Sequence, residues 1–257
     1  MNISEFQETL HELIDKQLWH DHEGDFGFLN RSNTFINKVG YCTNLTPATI
    51  EQAIIHKVDL MITHHDAWDF IYGLKDECMK LLTQHNISHF FIHGPLDYVE
   101  FGTCTSLMKV LEMDTIIKYS TFEGDSIPGV GEYTKSMPFG MFAERMQTTL
   151  NEPVRVWKNN QQELKRIGIL TGAGNSTNHI KSAVDNGCDT YITGEVNLYT
   201  IQYAQLVGIN LFVGSHTFTE IFGVETLVKK IHEFHPTLEM VQLFEPHDEL
   251  NHSMYRF

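Results

Sequence analysis

Short apolar runs alternate along the chain with segments whose apolar residues recur every three or four positions, the mark of an α/β fold. Residues 39–43 form an expected strand, followed by Asn44 and the turn-prone pair Thr46-Pro47. Residues 49–57 have helical spacing, with Ile50, Ala53 and Ile54 on one face. A second strand over 58–63 runs into His64-His65, and a helix over 77–84 leads to a third strand, 88–92, that stops at His93. The order then recurs. Residues 166–171 form a strand, 172–175 a Gly-rich turn, 179–186 a helix and 188–193 a strand; a helix over 198–206 and a strand over 210–213 follow.

The recurrence reaches individual residues. Ile50, Ala53, Asp59, Ile62 and Thr63 align with Ile180, Ala183, Asp189, Ile192 and Thr193 at one offset of 130, and Val39-Gly40 with Ile167-Gly168 at 128. A shared Asp and Thr in one register favour internal duplication over a coincidence of apolar pattern. The expected architecture is therefore α/β with two similar halves, 1–125 and 126–257, divided somewhere between roughly 105 and 135. The intervening stretch carries Pro128, Gly129, Gly131, Pro138 and Gly140 and reads as strand pairs, turns and a helix over 141–150. Residues 1–19 read as one amphipathic helix. Its stripe is Phe6, Leu10, Leu13, Ile14 and Leu18, and Ser4 and Gln7 have the spacing of a capping box.

Composition narrows the class. A content of 42% hydrophobic and 20% charged residues is that of an ordinary globular chain, not a disordered one. No apolar run approaches the ~18 to 20 residues of a membrane span, and the N-terminus lacks the pattern of a secretion signal, so a cytoplasmic protein is expected. The balance of 33 acidic against 18 basic residues, a net charge of −15, argues against duplex nucleic acid as a partner. It leaves metal cations and small molecules open. Cys42, Cys78, Cys104 and Cys188 form no Cys-x-x-Cys pair and read as free thiols. The surplus is in histidine, with 15 residues.

Four of those histidines stand where chemistry is expected. In open α/β sheets, ligands sit beyond the carboxyl ends of the strands. His64-His65 ends one strand, His93-x-x-x-Asp97 follows another, and His216-x-x-x-Glu220 follows the corresponding strand of the second half. Adjacent strand residues point opposite ways, so both His64 and His65 face one site only if the strand breaks there. Residues four apart share a helix face, so each spaced pair presents an imidazole with a carboxylate. Singly, each pair fits a helix N-terminus with a solvated acid better. Three sets at related places, converging if the halves face each other, fit a metal site. Imidazole with carboxylate and no thiolate suits zinc, iron or manganese, and a bridging carboxylate suits two ions.

These segments resemble the NIF-three-like family, also known as GTP cyclohydrolase I type 2 homologues. The resemblance lies in Asp59-Leu-Met-Ile-Thr-His-His65, His93-Gly-Pro-Leu-Asp97, Thr171-Gly-Ala-Gly174, Thr193-Gly-Glu195 and Gly214-Ser-His-Thr-Phe-Thr-Glu220, with Phe222-Gly-Val-Glu225. It implies two α/β halves with a dinuclear metal centre in the cleft between them, assembled as a homohexamer. The family's ligands fall on His64, His65, Asp97, His216 and Glu220, with His93 as a further ligand or proton-transfer group. Three positions depart from the family pattern: Asp66 replaces the usual Pro, an early Trp-Asp-Asn-x-Gly motif survives loosely as Asp25-Phe-Gly27, and Glu195 and Tyr199 stand where Asp and His are usual.

The function expected is that of a metal-dependent hydrolase with a metal-activated water, two divalent ions per chain, and a small-molecule, possibly nucleotide, substrate. His93 and Glu195 are its candidate catalytic residues for proton transfer. The alternative is a non-enzymatic metal-handling or regulatory interaction protein. The Gly172-Ala173-Gly174 turn reads equally as an anion cradle or a tight turn. The run Glu245-Pro-His-Asp-Glu249, with His252 nearby, reads as a flexible acidic tail rather than a second metal set.

Overall fold

In the computed structural model, which describes residues 1–247 and 249, the chain forms two compact units. The first comprises Met1–Gly102 with Gly223–Glu245, and the second Thr103–Phe222 with the residues from Pro246. The units part after Gly102, and the late segment Gly223–Glu245 counts with the first unit. In chain order the first unit holds α1 Ile3–Leu13, α2 Lys16–Asp21, β1 Phe26–Asn30, β2 Lys38–Cys42, α3 Pro47–His56, β3 Leu60–Thr63, α4 Leu74–Gln84, β4 Ser88–Ile92 and α5 Gly94–Tyr98. The second holds α6 Thr103–Val110, β5 Thr115–Lys118, β6 Thr121–Phe122, β7 Ser126–Ile127, β8 Gly129–Met137, α7 Phe139–Leu150 and β9 Arg155–Trp157. It continues with β10 Leu164–Leu170, α8 Thr177–Asp185, β11 Thr190–Thr193, α9 Leu198–Val207 and β12 Asn210–Val213. Helix α10, His216–Phe234, starts in the second unit, and β13, Glu239–Gln242, belongs to the first.

Each unit is built on one mixed sheet. The first has the order β1-β4-β3-β2-β13, parallel except for β1. The second has the order β5-β8-β10-β11-β12-β9, with a parallel centre β10-β11-β12 and antiparallel flanks. Every residue of β3, β11 and β12 is buried, as expected for parallel strands covered on both faces. Helices complete two cores. Ile50, Ala53, Met61, Leu82 and Leu243 anchor one, and Ile167, Ile180, Tyr191, Phe142 and Phe212 the other.

The matched residues occupy matched roles. Val39 stands opposite Leu60 and Ile167 opposite Thr190, pairs related by the same two offsets. The Asp59 carboxylate accepts the N–H groups of Asn37 and Lys38 at 2.8 and 3.0 Å, where the preceding strand begins. Asp189 does the same for Lys165 and Arg166 at 2.8 and 2.9 Å. Two acceptors tie down strand ends that the ladder leaves open. The two sheets are consistent with an internal duplication.

The N-terminal expectation needs correction. The helix breaks into α1 and α2, because Asp15 accepts from the Gln17 N–H and starts a new helix. The capping box is Asn2 with Glu5, at 2.9 and 2.7 Å, since the chain is already helical at Ser4. All four cysteines are buried free thiols, and among the described residues no helix is long and apolar enough to cross a membrane.

Candidate functional site

Both units place their candidate residues just past the carboxyl ends of the parallel strands. In the first unit β3 ends at Thr63, and the next two N–H groups, of His64 and His65, both donate to the Thr43 carbonyl at 3.0 and 2.9 Å. Two consecutive donors on one acceptor are impossible in a strand. The chain turns there, and the two rings come to 4.7 Å between centroids. This is the strand break that a shared site requires.

Their remaining polar contacts anchor the Nδ1 side of each ring. His64 Nδ1 lies 2.9 Å from the Ile92 carbonyl oxygen, and His65 Nδ1 lies 2.8 Å from the Asn44 amide oxygen. Neither oxygen can donate, so each Nδ1 carries a hydrogen and each Nε2 points away from that anchor. Asp97 follows one turn of α5 after His93, its N–H on the His93 carbonyl at 3.2 Å. Its carboxylate approaches His64 Nε2 to 3.4 Å and His93 Nε2 to 4.0 Å. One nitrogen from each of His64, His65 and His93 lies within 4.8 Å of the others. His64 and His65 are buried, whereas His93 is 44% exposed. Beyond it, the Asp25 carboxyl lies 4.0 Å from His93 Nδ1 and is held below the usual carboxylate range, first by hydrogen bonding to His93.

In the second unit α10 opens at His216, and Glu220 sits one turn on. Glu220 approaches His216 Nε2 to 3.3 Å, while His216 Nδ1 donates to Glu195 at 2.7 Å. The other Glu195 oxygen accepts from the Asn175 amide at 2.7 Å. Glu195 therefore grips and orients the ring, and that bond to His216 chiefly lowers its own pKa. Burial works against a charged His216, but Glu220 and then Glu195 outweigh it and push the pKa up to about 11. Two carboxylates that hold a proton this firmly favour any cation in its place.

The glycine motifs shape this corner. Gly172, at φ +61°, donates to the Thr219 hydroxyl at 3.0 Å, and its carbonyl accepts the N–H groups of Gly174 and Gly194, each at 3.0 Å. A Cβ on Gly172 would strike the Glu220 carboxylate and lie 2.9 Å from His216 Nε2. The loop backbone thus forms one wall beside both side chains, where only glycine fits. The N–H groups of Gly172, Gly174 and Asn175 are spent internally, as in a tight turn.

The run after β13 is not the flexible acidic tail expected of its charge. Glu245 is buried, with its carboxylate on backbone N–H groups. His247 pairs with buried Glu152 at 3.2 Å, and Glu249 accepts the first N–H groups of α10, from His216 and Thr217, at 2.8 and 3.1 Å. Asp248 and His252 lie outside the described residues. Sequence reasoning missed Asn44, Glu245 and Glu152. Asn44 alone had a signal, its place just past a strand end.

The family model for Duf34/NIF3 (NGG1p interacting factor 3) matches residues 1–247. A protein of Haemophilus influenzae named GTP cyclohydrolase 1 type 2 homolog is 31% identical over 229 residues, 85% of this chain and 90% of its own. One of the same name from Pyrococcus abyssi is 26% identical over 204 residues, 77% of this chain and 80% of its own. Among solved structures, TTHA1606 from Thermus thermophilus shares the fold at a TM-score of 0.80 and 21% identity, covering 96% of this chain and 99% of that one. The protein ybgI, described as of unknown function, shares it at 0.81 and 23%, with the same coverage.

Proposed function

Because the chain belongs to the Duf34/NIF3 family, we propose that it is a metal-dependent hydrolase. Its ligands are His64, His65, Asp97, His216 and Glu220, which hold two divalent ions, zinc, iron or manganese. One observation carries this reading: His64, His65 and His216 each have Nδ1 hydrogen-bonded to a fixed oxygen. Imidazoles that serve metals are oriented in this way, Nδ1 protonated and Nε2 presented. The donors fit the group. They are nitrogen and carboxylate only, and the glycine wall at Gly172 leaves the Glu220 and His216 ends uncovered by any side chain of its own.

Bound dications would supply Lewis acidity and acidify a water for hydrolysis. The chain's own residues do the rest. Glu195 acts through His216, fixing the ring rather than reacting. His93, the most exposed of the imidazoles beside Asp97, exchanges protons between substrate and solvent with Asp25 at its other nitrogen. The relatives' name points to a nucleotide as the small-molecule substrate.

The test loads the protein with zinc or manganese and assays a panel of nucleotides and esters. Turnover lost in both Asp97→Ala and Glu220→Ala supports the hydrolase. Stoichiometric metal with no turnover across the panel supports a metal-handling protein instead. Elemental analysis should find close to two ions per chain, by analogy with dinuclear hydrolases. A centre served by both ligand sets loses both ions in His65→Ala and in His216→Ala alike; separate sites would lose one each.

A further inference from the structure

Strand β13 pairs in parallel with β2, Gln242 opposite Tyr41, and the Leu243 N–H extends the ladder to the Tyr41 carbonyl at 2.9 Å. The chain leaving β13 therefore runs beside the chain leaving β2. Gln52 of α3 clamps it there, its amide exchanging two 2.8 Å bonds with the Phe244 backbone. This brings the Glu245 carboxylate, 7% exposed, against the loop that precedes His65 in space. One oxygen accepts the Thr43 N–H at 2.7 Å. The other accepts both the backbone N–H and the side-chain amide N–H of Asn44, at 2.8 and 2.9 Å.

We propose that Glu245 is a positioning residue which, through Asn44, fixes the proton of His65 on Nδ1 and presents Nε2 as a ligand. A carboxylate can only accept, so the NH2 end of Asn44 must face Glu245. That leaves the amide oxygen to face His65 Nδ1, 2.8 Å away. The oxygen in turn can only accept, so the ring nitrogen must donate. A buried charge thus sets a tautomer two bonds of the network away. Glu245 also has a second hold on the site. The Thr43 unit whose N–H it accepts carries the carbonyl that bends His64 and His65 together. Glu195 performs the same service for His216 directly; here the carboxylate works at one remove. The ligand part of this proposal rests on the metal reading above.

Magic-angle-spinning NMR of the metal-free protein, labelled with 15N in histidine only, reads ring tautomers one by one, His65 being assigned by its loss in His65→Gln. Wild type should show His65 protonated on Nδ1. Glu245→Leu removes both acceptors and so releases the Asn44 amide; a signal for His65 protonated on Nε2 should appear while His64 keeps its Nδ1 proton. Asn44→Leu, which removes the acceptor outright, should do the same. Zinc affinity by chelator competition should fall about 10–100-fold in either variant. A wild-type His65 protonated on Nε2 overturns the proposal without recourse to any variant. So does a Glu245→Leu protein that keeps the Nδ1 form and binds zinc within about twofold of wild type. The expected tautomers without zinc binding uphold the positioning role and overturn the metal reading alone.

Discussion

Replacing Gly172 with alanine isolates the glycine wall of the site, because a second glycine supplies the control. Gly172 and Gly208 both have left-handed backbone, at φ +61° and +71°. At Gly208 an added Cβ would find only the Asn159 carbonyl oxygen, at an ordinary 3.9 Å. Gly208→Ala should therefore cost the backbone term alone, about 1–2 kcal/mol, or roughly 2–4 °C of melting temperature per kcal/mol in a chain of this size. At Gly172 the same term is joined by collision with the Glu220 carboxylate and the His216 ring. Relieving it means displacing a buried carboxylate from its partners, a further ~1–3 kcal/mol. Differential scanning calorimetry of the metal-free variants should show Gly172→Ala losing about 1–3 kcal/mol more than Gly208→Ala. Chelator competition should show zinc affinity down by about tenfold or more in Gly172→Ala only. Equal melting losses with equal zinc affinities would refute the reasoning.

Three further outcomes are expected. The metal-free His216, with a pKa of about 11, is protonated at neutral pH and must give up that proton to bind an ion. Calorimetric titration in buffers of different ionisation enthalpy should therefore show proton release from this group, and affinity rising with pH up to about 11; affinity indifferent to pH would contradict it. Asp59→Ala and Asp189→Ala each remove one carboxylate from two backbone donors, so both should lose about 1.5–3 kcal/mol in denaturant unfolding, and widely unequal losses would speak against equivalent roles. Light scattering should give a homohexamer, as the resemblance implies; a monomer would set that expectation aside.

What the sequence made legible was whatever the chain encodes locally. Strands 88–92 and 210–213 stand at their expected limits because polar residues bracket short apolar runs. His216 and Glu220 were legible because their spacing is one helical turn, and His64-His65 because the pair ends an apolar strand. The break at Asp15 was not, since an aspartate on an exposed helix face looks the same whether or not it caps. Glu245 was illegible for a different reason. Its role depends on β13 docking beside β2, which brings Asn44 and Glu245 together across 201 positions with no pattern to announce it. Its charge pointed to solvent; the pairing of strands buried it.

The pinned imidazoles have a consequence for discrimination between ions. A histidine free to rotate adapts to whichever ion arrives, so occupancy follows the general affinity order and copper prevails. Rings tied at Nδ1 to the Ile92 carbonyl, Asn44 and Glu195 give up that freedom when the chain folds. The entropy of arranging them is then spent before any ion binds, which raises affinity for an ion that suits the frame. On the metal reading proposed above, an ion demanding a different array would have to distort the hydrogen bonds of the rings it engages as well as its own coordination. Selection among metals would then be a matter of shape, set in the backbone and its oxygen acceptors rather than in the ligands alone.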